Sequence, residues 1–467
     1  MAQKKVSRQP EFVLPPPPLP SRLPLLGHSL ALVRRRQDFF VDARAAGPVV
    51  TVHPGSRTLY LVNDLELARR ILTTDASKYT RGELFERVRP YVGDSLPFVD
   101  GRPHRKQRRM IRPSLHRTAV AGYVDTMSGV ANRRLGRWQD GDHVVVGEQF
   151  RNLAMEVVGS ALFSFDFSES LLRDWHTITP WVPKGLFLRI TAPYAWVERL
   201  PLPVNRRFVE ATKWVRELCD RITDEHTGDA TDLVSLLLDT VDPDTGEPVS
   251  KEQISTEVLG MLIAGTETIG SALSWCCMLL ASHPDVQQRV RAEVDQVLAG
   301  RPCTAADLSA LTYTRHVVTE TLRLYPPLFF LTRTAREDVE LGGFRIPAGS
   351  SLLLSPYALQ RAPEYFPQPE KFAPDRWTQG GELSANPDAF LPFGAGLHRC
   401  LGEQLAMAEG VVILSTLLSR WELCPVNDET PRSRGVLLTP EPGRVVLRSR
   451  DVRFDSHRAD SVLEERR

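Results

Sequence analysis

The sequence predicts a mainly α protein with a small β portion, built as a single large fold. Helical periodicity runs through most of residues 100–325, and one long apolar stretch occupies 254–284. Strand-like alternation is confined to the two ends of the chain. No repeat of 20–50 residues recurs, which excludes a solenoid. No domain-separating linker is visible, so the expected organisation is a proline-rich lead-in at 1–19, one body at 20–450 and a polar tail at 451–467.

The 467 residues carry 58 Lys and Arg against 57 Asp and Glu, so no global field favours nucleic acid or a membrane. Local charge must carry any such claim. Six cysteines (Cys219, Cys276, Cys277, Cys303, Cys400 and Cys424) lack Cys-x-x-Cys spacing, which argues against a zinc site or disulfide framework and for a reducing compartment. The opening "MAQKKVSRQPEFVLPPPPLPSRLPLLGHS" has no run resembling a signal peptide or membrane anchor. It is basic, then proline-rich, and is expected to pack along the surface in extended form. A cytoplasmic enzyme is the expectation.

Taken in order, "VVTVHPGSRTLYLVND" (49–64) alternates around Pro54-Gly55 and predicts a β-hairpin. Turn-rich "DPDTGEPVS" (242–250) interrupts the helical body. The central stretch 254–284 ends at His283-Pro284, because proline cannot continue the ladder. From Val258 to Ala281 its only formal charge is Glu267, which raises a membrane span. Its flanks lack positive charge and interfacial anchors, and no second such segment exists. A buried core helix interrupted at "AGTET" (264–268) is the preferred reading. Gly265 weakens a helix, and threonine hydroxyls compete for carbonyls of the preceding turn. Glu267 beside Thr268 is either a satisfied core pair or a proton relay in a polar notch. Strand character returns at 339–355 and 435–450.

Two further patterns carry chemistry. "TETLRLYPP" places Glu320 and Arg323 three apart on one helical face, ended by Pro326-Pro327, and "KFAPDRW" offers Arg376 some fifty residues later. Alone the first pair is a surface ion pair, but a carboxylate between two guanidiniums locks a loop to a helix. In "LPFGAGLHRCLGEQLAMAE" (391–409), Gly394, Gly396 and Gly402 crowd Cys400 where Leu401, Leu405, Ala408 and Val412 begin a helical period. Glycine permits positive φ or close approach to a bulky partner. A helix N-terminus favours thiolate over thiol.

Together these residues resemble one family. Phe393-x-x-Gly396-x-His398-x-Cys400-x-Gly402 resembles the haem loop of the cytochrome P-450 superfamily, Ala264-Gly265-x-Glu267-Thr268 its oxygen-binding helix, and Glu320, Arg323 and Arg376 its structural triad. The resemblance covers roughly 20–450. It implies the cytochrome P-450 fold, with haem between the central helix and the cysteine-loop helix. Cys400 is then the axial thiolate of a b-type haem, with Phe393 near the sulfur and Gly394 and Gly402 in the loop against the porphyrin. His104, Arg108, Arg333 and His398 match propionate positions, with His398 standing where arginine is usual. Thr268 and Glu267 become the proton-delivery pair. Arg105, Lys106, Arg109 and Arg112 are either a solvated face or a docking surface for an acidic electron donor. That donor is expected to be separate, since no nucleotide fingerprint or iron–sulfur cysteine cluster occurs. A ferredoxin and its NAD(P)H-dependent reductase are implied, with O2 as co-substrate and a monomeric enzyme.

Segments 82–101, 179–208 and 326–334 would cover the pocket. Phe85, Leu96, Phe98, Phe187, Phe329 and Leu331 are its candidate wall residues, or else ordinary core. "HRKQRRMIRPSLH", "RLPLPVNRRF" and "ETLRLYPP" resemble actinobacterial terpene-modifying members, which implies a cyclic terpene or terpenoid alcohol. A polyketide, steroid or fatty acid is the alternative. So is a haem-thiolate isomerase or dehydratase that does not use O2, although Gly265 and Thr268 are both in place for oxygen chemistry. A haem sensor would need a partner module, and a haem-free scaffold would show no haem absorption.

Overall fold

The computed structural model describes residues 14–20, 23–191, 200–227, 231–380, 385–426, 432–433, 437–441 and 443–450. The chain forms two compact units. One comprises Met1–Leu84, Phe329–Tyr365 and Pro387–Arg399; the other Phe85–Leu328, Phe366–Asn386 and Cys400–Arg467. The anticipated tail at 451–467 lies outside the described residues.

The first unit is organised on a five-stranded sheet. Val49–Val52 pairs antiparallel with Leu59–Val62, Val49 opposite Val62, which is the hairpin expected from the alternation. Leu59–Val62 pairs parallel with Ser351–Leu354, which pairs antiparallel with Leu331–Ala335, and Tyr79–Thr80 closes the order. The described end of the lead-in, 14–19, docks beside the first strand. Thr51 donates its N–H to the Pro17 carbonyl at 2.8 Å, and Leu19 donates to the Thr51 carbonyl at 2.8 Å. The prolines serve mainly as acceptors because they have no N–H to donate. Phe39, Phe40, Val50, Val52 and Leu61 form the apolar cluster beneath, with Phe329 and Phe330 packed against it. Leu331–Ala335 was not foreseen, since "LTRTA" has no apolar alternation. The stretch 339–355 holds three strands: Val339–Leu341, Phe344–Ile346 and Ser351–Leu354. The first two turn at Gly342 and Gly343, both at positive φ.

The second unit is helical around Lys251–Ser282. That helix begins three residues earlier than its apolar stretch, because Ser250 caps it by accepting from the Gln253 N–H at 3.2 Å. It ends before Pro284 as expected. The interruption at "AGTET" is corrected: the helix is continuous. Thr266 and Thr268 donate to the Leu262 and Ala264 carbonyls, each at 2.7 Å, without displacing the ladder. Burial is what breaks there. Residues 254–262 and 269–278 are buried throughout, whereas Ala264 is exposed and Ile263, Gly265, Glu267 and Thr268 are partly so.

Helix Val146–Leu162 packs most extensively against this central helix. Gly265 and Gly270 make that possible. A Cβ at Gly265 would lie 3.2 Å from Val158, and one at Gly270 would lie 3.0 Å from the Arg151 Cα. Among the described residues this is the one helix long and apolar enough to cross a membrane, and most of its apolar window is buried inside the fold. Arg444–Ser449 pairs with His143–Val145 and with Trp421–Pro425 in a three-stranded sheet.

Candidate functional site

The cysteine loop is shaped by its glycines before any ligand is considered. Gly394 and Gly396 take φ of 66° and 69°, in the left-handed region expected for them. A side chain at Gly396 would stand 1.9 Å from the Leu72 carbonyl oxygen, so only glycine fits there. Leu391 donates its N–H to Gln360 Oε1 at 2.7 Å, and the chain turns back through Gly394 N–H to Leu391 O at 3.0 Å. Phe393 and His398 are half-buried in this stretch of the first unit.

In the second unit Cys400 precedes Gly402, which caps helix Glu403–Arg420 with an ordinary φ of −82°. Positive φ therefore explains two of the three glycines, not Gly402. A Cβ there would come 3.9 Å from the Cys400 sulfur. Cys400 is exposed, while Cys219, Cys276, Cys277 and Cys303 are buried and Cys424 is intermediate. Burial pushes the Cys276 thiol up to about 12, whereas Cys400 sits in the open at a helix start.

Helix Gly101–Ile111 brings His104 and Arg108 one turn apart. His104 is buried and Arg108 half-buried. Partial burial lowers the Arg108 pKa, the Cys400 sulfur when ionised acts to raise it, and Arg112 acts to lower it. The guanidinium thus lies within electrostatic reach of that sulfur. On the outer face, Arg105, Arg109 and Arg112 are exposed and meet no acidic partner among the described residues. Lys106 is different. It is held by Asp242 at 2.8 Å and Asp244 at 3.8 Å, and Arg102 also pairs with Asp244, at 2.9 Å. The turn 242–250 supplies this neutralisation, which spacing in the sequence did not reveal. Arg333, in the first unit, is buried and donates to its neighbour's carbonyl, Thr332 O, at 2.7 Å.

Thr268 and Glu267 lie at the exposed window of the central helix. The residue is partly exposed, yet desolvation of its carboxyl raises Glu267 above the usual carboxylate range, and Arg151 of the packed helix opposes the rise. Arg151 was missed by motif reading because its helix carries no chemical signature.

The triad is present with more partners than foreseen. The Glu320 carboxylate accepts from Arg323 Nε and Nη2 at 2.9 and 2.8 Å and from Arg376 Nε at 2.9 Å. It also accepts from the Ala373 N–H and Trp377 Nε1, each at 3.0 Å. All three charged side chains have no solvent exposure. Arg323 and Arg376 spend their remaining donors on the Pro369, Lys371, Pro367 and Gln368 carbonyls.

The wall candidates divide. Phe85 and Phe98 contact each other with ring centroids 6.2 Å apart. Leu96 is buried, and its N–H is held by Glu257 Oε2 at 2.9 Å. Phe329 packs edge-on against Phe40 in the first unit's core, and Leu331 lies near Gly394. The Phe187 side chain lies outside the described residues.

The cytochrome P-450 family profile matches residues 16–447. The chain belongs to the cytochrome P-450 family. Cyclooctat-9-en-7-ol 5-monooxygenase of Streptomyces melanosporofaciens is 38% identical to this cytochrome P-450, over 88% of the chain and 90% of the relative. Pentalenene oxygenase of Streptomyces avermitilis is 31% identical over 92% and 96%. The solved heme domain of cytochrome P-450DA superposes with a TM-score of 0.84 at 26% identity, covering 94% of this chain and 98% of that one. A cytochrome P-450 is a haem-thiolate monooxygenase, and the donor set fits that cofactor. The one exposed cysteine among the described residues lies within electrostatic reach of the Arg108 guanidinium, and the central helix leaves Ala264 exposed and Gly265 partly so.

Proposed function

We propose that this cytochrome P-450 inserts one atom of O2 into a C–H bond of a cyclic terpene or terpenoid, using electrons from a separate ferredoxin and its reductase in the cytoplasm. The observation that carries the reading is the window where Ala264 is exposed and Gly265, Glu267 and Thr268 are partly so, between the buried runs 254–262 and 269–278 of the same helix. An apolar wall interrupted by an acid and an alcohol suits a site that must exclude water yet admit protons. The terpenoid class is supported by the relatives named above and by the paired aromatic candidates Phe85 and Phe98.

Haem, when bound, supplies oxygen reduction and C–H oxidation, and the chain supplies the rest. Cys400 would hold the iron through its thiolate, with Phe393, Gly394 and Gly402 shaping the loop around it. His104, Arg108, Arg333 and His398 would hold the propionates, and Ala264 and Gly265 would form the flat wall. The Thr268 hydroxyl gives its own proton to the Ala264 carbonyl, which leaves its oxygen lone pairs to accept. Glu267, partly exposed on its helix but with its carboxyl drawn into desolvating surroundings, keeps its proton to higher pH than free glutamate and is the adjacent proton reservoir. Arg105, Arg109 and Arg112 form the exposed basic set for an acidic donor protein, and Lys106 contributes little because Asp242 already binds it.

The test is a reduced, carbon monoxide-bound spectrum of the fresh holoprotein, followed by turnover of a terpenoid panel with ferredoxin, reductase and NADPH. A band near about 450 nm that Cys400→Ser removes, together with oxygenated terpenoid product, is expected. A wild-type band near about 420 nm would overturn the thiolate. Exclusive turnover of fatty acids or polyketides would overturn the substrate class.

A further inference from the structure

Residues 23–33 carry an apolar surface that the oxygenation chemistry does not use. Leu23 and Gly27 exchange backbone hydrogen bonds at 3.0 and 2.9 Å, closing a tight turn with Leu25 and Leu26 at its tip. Leu25 is 97% exposed and Leu26 53%, with Leu23 at 42% and Val33 at 64% nearby in the chain. This turn is not loosely attached. The Gly55 N–H donates to the Leu26 carbonyl at 3.0 Å, and the His28 N–H to the His53 carbonyl at 2.6 Å. Gly27 is pressed so close to the β-hairpin that a Cβ would lie 1.8 Å from His53 O.

Leu25 is held at φ 60°, a conformation that side chains other than glycine, asparagine and aspartate seldom adopt. A bulky apolar residue is thus strained and presented to solvent at once, on a rigid support. Folding stability accounts for neither feature: the positive φ costs free energy, and a leucine left in water gains none on folding.

The sequence around the turn is basic. The first 36 residues contain seven Lys and Arg (Lys4, Lys5, Arg8, Arg22, Arg34, Arg35 and Arg36) against the single acid Glu11, although the whole chain nets only +1. Arg34 is exposed and Arg36 half-exposed, and neither meets an acidic partner among the described residues. Arg57, on the hairpin turn that braces Leu26, is exposed as well. The opposing acids are Asp42, already bound by Arg35, and exposed Asp38. Apolar tips close in the chain to solvent-facing arginines, and braced by a hairpin turn that carries another, match a surface that is anionic outside and apolar beneath.

We propose that the turn Leu23–Gly27 and the arginines of 34–36 form a peripheral docking surface for an anionic lipid bilayer. Leu25 and Leu26 enter the acyl boundary, while Arg34 and Arg36 meet lipid phosphates. This is surface adsorption, distinct from an anchor or span, and it does not depend on which substrate the enzyme oxidises.

The experiment is flotation of full-length, haem-loaded protein with vesicles of phosphatidylcholine containing about a third phosphatidylglycerol, against vesicles of phosphatidylcholine alone. Binding is expected on the anionic vesicles only, weakening as salt is raised. L25S/L26S and R34E/R36E are each expected to weaken it about tenfold or more, with the carbon monoxide spectrum and melting temperature unchanged. Absence of flotation, equal binding to both vesicles, or wild-type binding by L25S/L26S would overturn the proposal. So would a dimer in sedimentation that L25S/L26S dissociates, since a second copy would then be the occupant.

Discussion

Glu320→Gln isolates the contribution of the buried triad. In the wild type five donors converge on one carboxylate, and two of the donor side chains are guanidiniums with no solvent exposure. Glutamine keeps the shape but removes the charge, leaving two buried cations without a counter-ion. Its amide nitrogen also replaces one acceptor oxygen and meets a donor. If it takes the Oε2 position it faces Arg323 Nε and Trp377 Nε1; in the flipped orientation it faces Arg323 Nη2, Arg376 Nε and the Ala373 N–H. Breaking a buried, hydrogen-bonded ion pair costs about 3–5 kcal/mol. That is a large share of the roughly 5–15 kcal/mol by which domains are stable. The assay is denaturant unfolding of the holoprotein followed by far-ultraviolet circular dichroism, with Glu320→Asp beside it. The aspartate keeps the charge and is expected to lose less than the glutamine. A Glu320→Gln loss below about 1 kcal/mol, the range of an exposed pair, would refute the reasoning.

Three other outcomes follow from the geometry. Glu257 is buried, and its carboxyl is pushed up to about 7 from 4.5 by desolvation, with hydrogen bonds from Leu96 N–H and Gln253 opposing. Because the folded state holds this proton more tightly, stability falls as pH rises from about 4.5 through 7. The loss reaches about 3 kcal/mol above that range, at 1.36 kcal/mol per pH unit. Glu257→Gln should flatten this fall in unfolding measured from pH 5 to 8, and an unchanged profile would rule the group out. Thr268→Ala should leave O2 and NAD(P)H consumption running while product drops and peroxide appears, and unchanged coupling would remove Thr268 from proton delivery. Gly270→Ala should cost about 1–3 kcal/mol in thermal unfolding, because the added methyl meets Arg151 backbone at 3.0 Å; a neutral variant would show that the two helices can part freely.

Much of the molecule was legible from residue order because the relevant physics is local. Pro284 stops the central helix, Gly394 and Gly396 turn the cysteine loop, and alternation marks the strands Val49–Val52 and Leu59–Val62. Strands without alternation were not legible. Leu331–Ala335 exists because neighbours on both sides satisfy its backbone, not because its own side chains prefer extension. The expected break at 264–268 failed for a related reason. A threonine hydroxyl sharing a carbonyl four residues back leaves the helix intact when packing on both sides holds it.

Residue order alone established which reactive groups the chain owns and their local setting: a thiol at a helix start, an acid beside an alcohol, a carboxylate three positions from a guanidinium. Tertiary structure decided which of them meet water and which meet each other. It exposed Cys400 while burying Cys276 and Cys277, withdrew Lys106 onto Asp242, and enclosed Glu320 with Arg323, Arg376 and Trp377. The physical reason is that burial and charge pairing depend on segments far apart in the chain, as Asp242 is from Lys106 and Arg376 from Glu320. Periodicity within a single segment carries no information about such partners.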